Sequence, residues 1–99
     1  MSNFPMTGAD AIRLDPADNV ATVLRPIAPG ETVRVRCGDT VQTVRAEDAI
    51  PLCHKISLAP IAAGVSVMKY GHQIGAASAA IAQGRHVHVH NLTSVRARA

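Results

Sequence analysis

Three histidines at alternate positions, in His86-Val87-His88-Val89-His90-Asn91, are the part of this sequence best suited to chemistry. In a strand, successive side chains alternate faces, so the histidines share one face while Val87 and Val89 point to a core. Neighbours at i and i+2 stand about 6.6–7 Å apart. Two such imidazoles can converge on one metal ion, whereas all three span about 13 Å and cannot easily do so. A metal site here takes at most two of them, with further ligands from elsewhere. Imidazole is also the usual general acid or base near neutral pH. The same pattern fits a solvated polar face opposite valines, and the residues by themselves leave both readings open. No second His/Cys/Asp cluster with ligand spacing occurs, so the chain is not expected to complete a metal site alone.

Two further segments carry polar chemistry. His54-Lys55 follows Cys53 and opens an alternating stretch. Adjacent strand residues point opposite ways, so only one of the pair faces a given site. A lysine there binds a carboxylate as a point charge, and an exposed lysine at a strand start is the plainer alternative. Lys69-Tyr70-Gly71-His72-Gln73-Ile74-Gly75 reads as a loop between two glycines, where backbone N–H groups can approach an anion. Its plainer alternative is a β-turn with Tyr70 anchored in the core. Cys53 has no flanking acid, and no Ser/His/Asp or Cys/His/Asn order suggests a nucleophile.

Short strands must position these groups. Dense punctuation by Pro and Gly points to an all-β domain. Strands are expected over Asn19–Leu24, Thr32–Cys37, Val41–Val44, Lys55–Leu58, Val65–Met68 and His86–His90. The second and third form a hairpin across Gly38-Asp39. Ala46–Ala49 suits one helical turn, and Ala76–Ala82 does not decide between helix and strand. The pattern Ile-Ala-x-Gly-x-x-Val occurs from Ile27, Ile61 and Ile81, with glycines at 30, 64 and 84. The unequal spacing excludes a solenoid. It implies one local device used three times: an apolar residue, a tight turn at Gly, and a departing strand.

Composition narrows the classes. The chain has 99 residues, enough for one domain, with loose ends expected at 1–10 and 93–99 around a domain at 11–92. Hydrophobic residues make up 47%, mostly Ala and Val, with one Phe, one Tyr and no Trp, which suits a thin-layered β core. A net charge of +3 could suggest nucleic acid, but the basic residues are scattered and aromatic stacking platforms are missing. No apolar run is long enough to span a membrane. No signal peptide is visible, so a cytoplasmic location is expected, with Cys37 and Cys53 as buried thiols rather than a disulfide.

Taken together, several segments resemble one family. They are Asp18-Asn19-Val20-Ala21, Ile50-Pro51-x-x-His54-Lys55-Ile56-Ser57-Leu58, Lys69-Tyr70-Gly71-x-x-Ile74-Gly75 and Val87-His88-x-His90-Asn91. They are similar to the SAF domain of the UxaA-type altronate and galactarate dehydratases, over about Ile12 to Leu92. The resemblance implies a small, mostly β fold of the SAF (β-clip) type, with short strands, hairpin ribbons and little helix. It implies the small subunit of a two-part hydro-lyase acting on a sugar acid by β-elimination from a 2-hydroxy acid. A large UxaA-type catalytic subunit would be the partner, and a chain stopping soon after His-Asn fits that form. A shared divalent metal is implied, Fe2+ first, with Mn2+ or another ion as alternatives. His54, Lys55 and His88 are implied as catalytic, His86 and His88 as metal ligands, and Lys69, Tyr70, Gly71, His90 and Asn91 as substrate-binding. The small subunit of (2R)-sulfolactate sulfo-lyase is similar too, and a non-catalytic SAF assembly module or a stand-alone metal-binding protein are the rivals. Homo-oligomerisation stays open. Relatives usually carry Gly before His-Lys, where this chain has Cys53; a positive φ there would strain it.

Overall fold

The computed structural model describes residues 8–94. Nine short strands form: β1 (Ala11–Ile12), β2 (Val20–Val23), β3 (Thr32–Cys37), β4 (Thr40–Arg45), β5 (Lys55–Ser57), β6 (Ser66–Lys69), β7 (His72–Ala77), β8 (His86–Val87) and β9 (Leu92–Ser94). They make a six-stranded sheet in the order β4-β3-β1-β2-β5-β8 and a three-stranded sheet in the order β6-β7-β9. No α-helix occurs among the described residues. The mostly β fold expected from the sequence is therefore what forms. Among the described residues, no helix is long and apolar enough to cross a membrane. The loose ends expected at 1–10 and 93–99 lie mostly outside the described residues. Within them, Asp10 bonds Arg25 and the Arg34 N–H, and Thr93 and Ser94 belong to β9.

The core comes in two parts, as a small-residue composition dictates. One contains Ala21, Val23, Val33, Val35, Ile50 and Ile56. The other joins the two sheets through Val20, Ile61, Val67, Ala77, Ile81 and Val87. Val33, Ile56, Val67 and Val87 are each fully buried.

The repeated turn is real, and it occurs four times rather than three. In Ala28-Pro29-Gly30-Glu31 the Glu31 N–H donates to the Ala28 carbonyl, and Gly30 has φ 88°. This is the geometry that demands a residue with positive φ at the third position. Gly64 and Gly84 repeat it at φ 84° and 85°, with Val65 and Arg85 donating to Ala62 and Ala82. The fourth copy is Ile50-Pro51-Leu52-Cys53-His54: His54 N–H donates to the Pro51 carbonyl, and Cys53 has φ 69°. The leading isoleucines bridge in pairs, Ile27 with Ile50 and Ile61 with Ile81. Each copy launches a strand whose first core residue lies six positions after its isoleucine. The turns after Ile50 and Ile81 launch β5 and β8; His54 immediately precedes β5, and His86 opens β8.

Four local expectations are corrected. Ala46–Ala49 makes no helical turn; Ala46 N–H is taken by the Glu31 carbonyl and Ile50 by Ile27, so the segment is stretched between strands. Lys69–Gly75 is no loop. Tyr70 and Gly71, at φ 55° and 77°, form a two-residue turn between β6 and β7, and Gly75 lies inside β7. Positive φ at both central positions matches the twist of a tight hairpin. Tyr70 is half-exposed rather than a core anchor. Both thiols are free, but Cys37 is half-buried and Cys53 exposed, because each sits at a turn.

Candidate functional site

Strands β5 and β8 run antiparallel, with Ile56 opposite His86 and Lys55 opposite Val87. One step further, the same register sets His54 against His88. All four of Ile56, His86, His54 and His88 then share one face of the sheet end. The imidazoles of His54 and His88 stack at 3.9 Å between centroids, and those of His54 and His86 at 5.0 Å. His54 Nδ1 and His86 Nε2 are 2.8 Å apart, so one of them donates to the other. One nitrogen from each of His54, His86 and His88 lies within 4.8 Å of the other two. The third imidazole that joins the two strand histidines thus comes from outside their strand, from His54.

The strand itself is shorter than expected. It stops at Val87, and His88–Asn91 is a turn. Asn91 causes this. Its Oδ1 accepts from the His88 N–H, its Nδ2 donates to the His86 carbonyl, and its own N–H reaches the His88 carbonyl. An Asn side chain that satisfies local backbone groups competes with ladder pairing. As a result Val89, expected in the core, is 79% exposed. His90 stays outside the trio, tilted against His86 at 5.1 Å. Asn91 orients two histidines, and both ends of its amide are occupied in doing so.

Two carboxylates to which the residue pattern assigns no role hold the frame. Asp48 Oδ2 accepts from the His86 N–H, and its Oδ1 pairs with Arg85 at 2.9 Å. Asp18, buried, accepts from the N–H groups of Tyr70 and Gly71 and so sets the β6–β7 turn. Asp48, Arg85, His90 and Asn91 line a cavity of about 280 Å³ beside the cluster, with Ile81 and Ala82 as its apolar wall. Lys55 and Lys69 are both half-buried, and Gly71 sits in the turn after Lys69-Tyr70. The turn carboxylates carry no sequence signal beyond an Asp next to a strand.

Charge follows geometry. Burial lowers the pKa of His86, assisted by His90, His54 and His88 and opposed by Asp48. Burial likewise lowers His88, with His54, Lys55 and His90 adding to it. Burial pushes Asp48 up, but the His86 N–H and the Arg85 guanidinium outweigh it and hold the carboxyl below its ordinary value. Neutral imidazoles are what a borderline cation needs. His88 Nδ1 is buried and has no hydrogen-bond partner, as an atom reserved for a ligand would be. The near-parallel rings must turn about their side-chain bonds to aim three lone pairs at one ion. That torsion is soft in histidine.

Acid should therefore loosen the protein. The folded pKa of His86 and His88 lies below the ordinary histidine value of about 6.5, so the unfolded chain binds protons first as pH falls. The stability from keeping these rings neutral is complete above that value and is lost as pH drops through the depressed ones. Urea midpoints of the metal-free protein should fall between pH 7.5 and 5. An unchanged midpoint would contradict the burial of these rings.

Comparison with known proteins places this arrangement. Residues 9–95 match the family described as the altronate/galactarate dehydratase SAF domain. The chain belongs to that family. The SAF domain is 44% identical over 80 residues to altronate dehydratase of Escherichia coli, which covers 81% of this chain and 15% of that protein. Altronate dehydratase of Bacillus subtilis is 39% identical over the same length and shares. Subunit alpha of (2R)-sulfolactate sulfo-lyase from Chromohalobacter salexigens is 40% identical over 58 residues, covering 59% of this chain and 62% of that subunit. The chain thus spans about 15% of the length of the altronate dehydratases it matches.

One departure within the SAF domain has a measurable consequence. Three copies of the repeated turn carry Gly at the positive-φ position, and the fourth carries Cys53. A side chain in left-handed backbone costs about 1–2 kcal/mol. Cys53→Gly should therefore stabilise the protein by about 1 kcal/mol, seen as a melting temperature about 4–8 °C higher. A lower melting temperature would show that the thiol makes a compensating contact.

Proposed function

We propose that this SAF domain supplies part of the active site of a hydro-lyase of the altronate/galactarate type. In this reading His54, His86 and His88 hold a divalent cation, Fe2+ first. A large UxaA-type catalytic chain completes the site. The convergence of three imidazoles, one just before β5 and two from β8 and its following turn, carries the proposal. Three protein ligands with open positions suit a catalytic rather than a structural site. A cation there would bind the carboxylate of a 2-hydroxy acid and make its α-proton easier to remove.

The chain's own residues orient and exclude. Asn91 and Asp48 fix the backbone of His86 and His88, and the cavity beside Arg85 and His90 has room for a small polyhydroxy acid. No carboxylate side chain stands among the three imidazoles to act as base, so the partner is assigned the proton transfers. The sulfo-lyase relative is itself a subunit, which supports a short SAF chain working within an assembly. It also supports a second reading, in which sulfite rather than water leaves.

The test is co-purification with the large chain, then a panel of altronate, galactarate and (2R)-sulfolactate with and without added iron. The isolated chain should be inert, and the complex active and stimulated by iron. Turnover by the isolated chain, or a complex indifferent to loss of all three histidines, would sink the reading.

A further inference from the structure

The free edges of the two sheets are treated differently. At β8 the His86 N–H donates to Asp48 and the His86 carbonyl accepts from Asn91, so side chains take up the outward-facing groups. At the free edge of β6 the Asn19 amide does the same, donating to the Ser66 carbonyl and accepting from the Met68 N–H. Strand β4, at the far end of the large sheet, lacks such a cover over Val41–Thr43. Its ladder to β3 starts at the Cys37–Thr40 pair that closes the two-residue turn, and Ala46 N–H continues it by donating to Glu31. Thr40, Gln42 and Val44 therefore bond inward to β3, while the N–H and carbonyl groups of Val41 and Thr43 point away from the sheet. Among the described residues, nothing bonds to these outward groups. Past Arg45 the edge is covered again, since the Glu47 N–H donates to the Gly84 carbonyl.

The charged side chains on these two strands are of one sign. Arg34, Thr43, Arg45 and the 45%-exposed Val41 share the solvent face, with the half-buried Arg36 opposite Val41. No acidic residue lies on β3 or β4. The nearby carboxylates are Asp10 and Glu31, both paired with Arg25, Glu47 at 4.0 Å from Arg45, and Asp39 in the turn. The register of β4 runs without a bulge, and the strand contains no proline. An edge left open in this way accepts a further strand, with main-chain bonds giving affinity and side chains giving selectivity. A second copy paired here would bring its own Arg34 and Arg45 onto the same face, and like charges across strands are unfavourable. An acidic strand has the opposite effect.

We propose that the β4 edge at Val41–Thr43 docks an extended segment of another protein chain that carries acidic side chains at alternate positions. The segment extends the six-stranded sheet by one strand. Its main chain bonds to the N–H and carbonyl groups of Val41 and Thr43, and its carboxylates reach Arg34 and Arg45 on the solvent face. The edge lies at the opposite end of the sheet from β8 and the histidine cluster, so the docking site goes beyond the reading of that cluster and does not depend on it.

The probe is an end-capped peptide of alternating Glu and Val, with its Lys-and-Val counterpart as control, read by amide hydrogen exchange in NMR. In the free chain, the Val41 and Thr43 amides should exchange at least about 10-fold faster than those of Gln42 and Val44. Saturating Glu/Val peptide should slow both by at least about 10-fold, whereas the Lys/Val peptide should not. Arg34→Glu, which leaves the backbone alone, should weaken binding about 10-fold. Thr43→Pro removes an N–H that faces away from β3, so it should fold and lose the protection of Val41. Should Thr43→Pro unfold, Arg34→Glu decides alone, and an unchanged affinity overturns the proposal. Equal binding of the two peptides, no protection by either at millimolar concentration, or full binding by a folded Thr43→Pro would overturn it too. So would slow exchange of Val41 and Thr43 in the dilute free chain. Slowing that grows with chain concentration would assign the edge to a second copy and overturn it as well.

Discussion

His88→Ala should weaken ferrous-ion binding about 100-fold, close to 3 kcal/mol, without unfolding the protein. The turn that carries His88 is held through its backbone: its N–H goes to Asn91 Oδ1 and its carbonyl to the Asn91 N–H. Removing the imidazole leaves that clamp intact. It also removes a buried nitrogen that lacks a partner, so the metal-free variant loses little. Loss of one of three imidazoles should fall at the top of the 10- to 100-fold range seen for changes to groups that merely orient a ligand. His90→Ala is the matched control. His90 is exposed and stands outside the trio, and its removal should change affinity less than about threefold. Equal effects from the two variants, read by equilibrium dialysis with circular dichroism to check folding, would refute the assignment of the ligands.

Gly84→Ala should destabilise the protein by about 3 kcal/mol or more, whereas Gly64→Ala should cost only about 1 kcal/mol. Both glycines occupy the same place in the repeated turn with nearly the same backbone, φ 85° and 84°. A Cβ at Gly64 meets nothing within 4 Å. A Cβ at Gly84 would lie 2.1 Å from the Arg45 carbonyl oxygen, a backbone atom that cannot step aside. Gly64→Ala thus reports strain alone, and Gly84→Ala reports strain plus a collision between the turn after Ile81 and the end of β4. The collision sits one residue before Arg85 and two before His86, so any relief by movement shifts the Asp48 contacts that place His86. Paired urea denaturation curves check this; similar losses for both variants would show that packing at Gly84 adds nothing.

Much of this architecture is legible in the residues, and the failures have physical causes. The alternation of Val33 and Val35 and the turn at Gly38-Asp39 lead straight to the β3–β4 hairpin. The Ile-Ala-x-Gly pattern announces three turns that form with the same hydrogen bond. The fourth is hidden because Cys53 stands where glycine is looked for, though Ile50 and the buried Ile56 keep their spacing. Alternation also assigns His86 and His88 to one face. It fails at Val89, since a side-chain amide three residues beyond His88 ends the strand. The third member of the cluster is 32 residues from His86 and arrives only through the β5–β8 register. A long-range pairing of this kind has no local signature. The structural roles of Asp18 and Asp48 have no local signature for a related reason: each holds backbone N–H groups, which every residue offers.

The central claim is that three imidazoles of this chain meet on one cation. X-ray absorption at the iron edge of the Fe2+-loaded protein, assembled with its large partner, tests it most directly. The account predicts a first shell with about three imidazole nitrogens near 2.0–2.2 Å, reduced by one in His88→Ala and unchanged in His90→Ala. A first shell of oxygen alone, the same in wild type and His88→Ala, would contradict it.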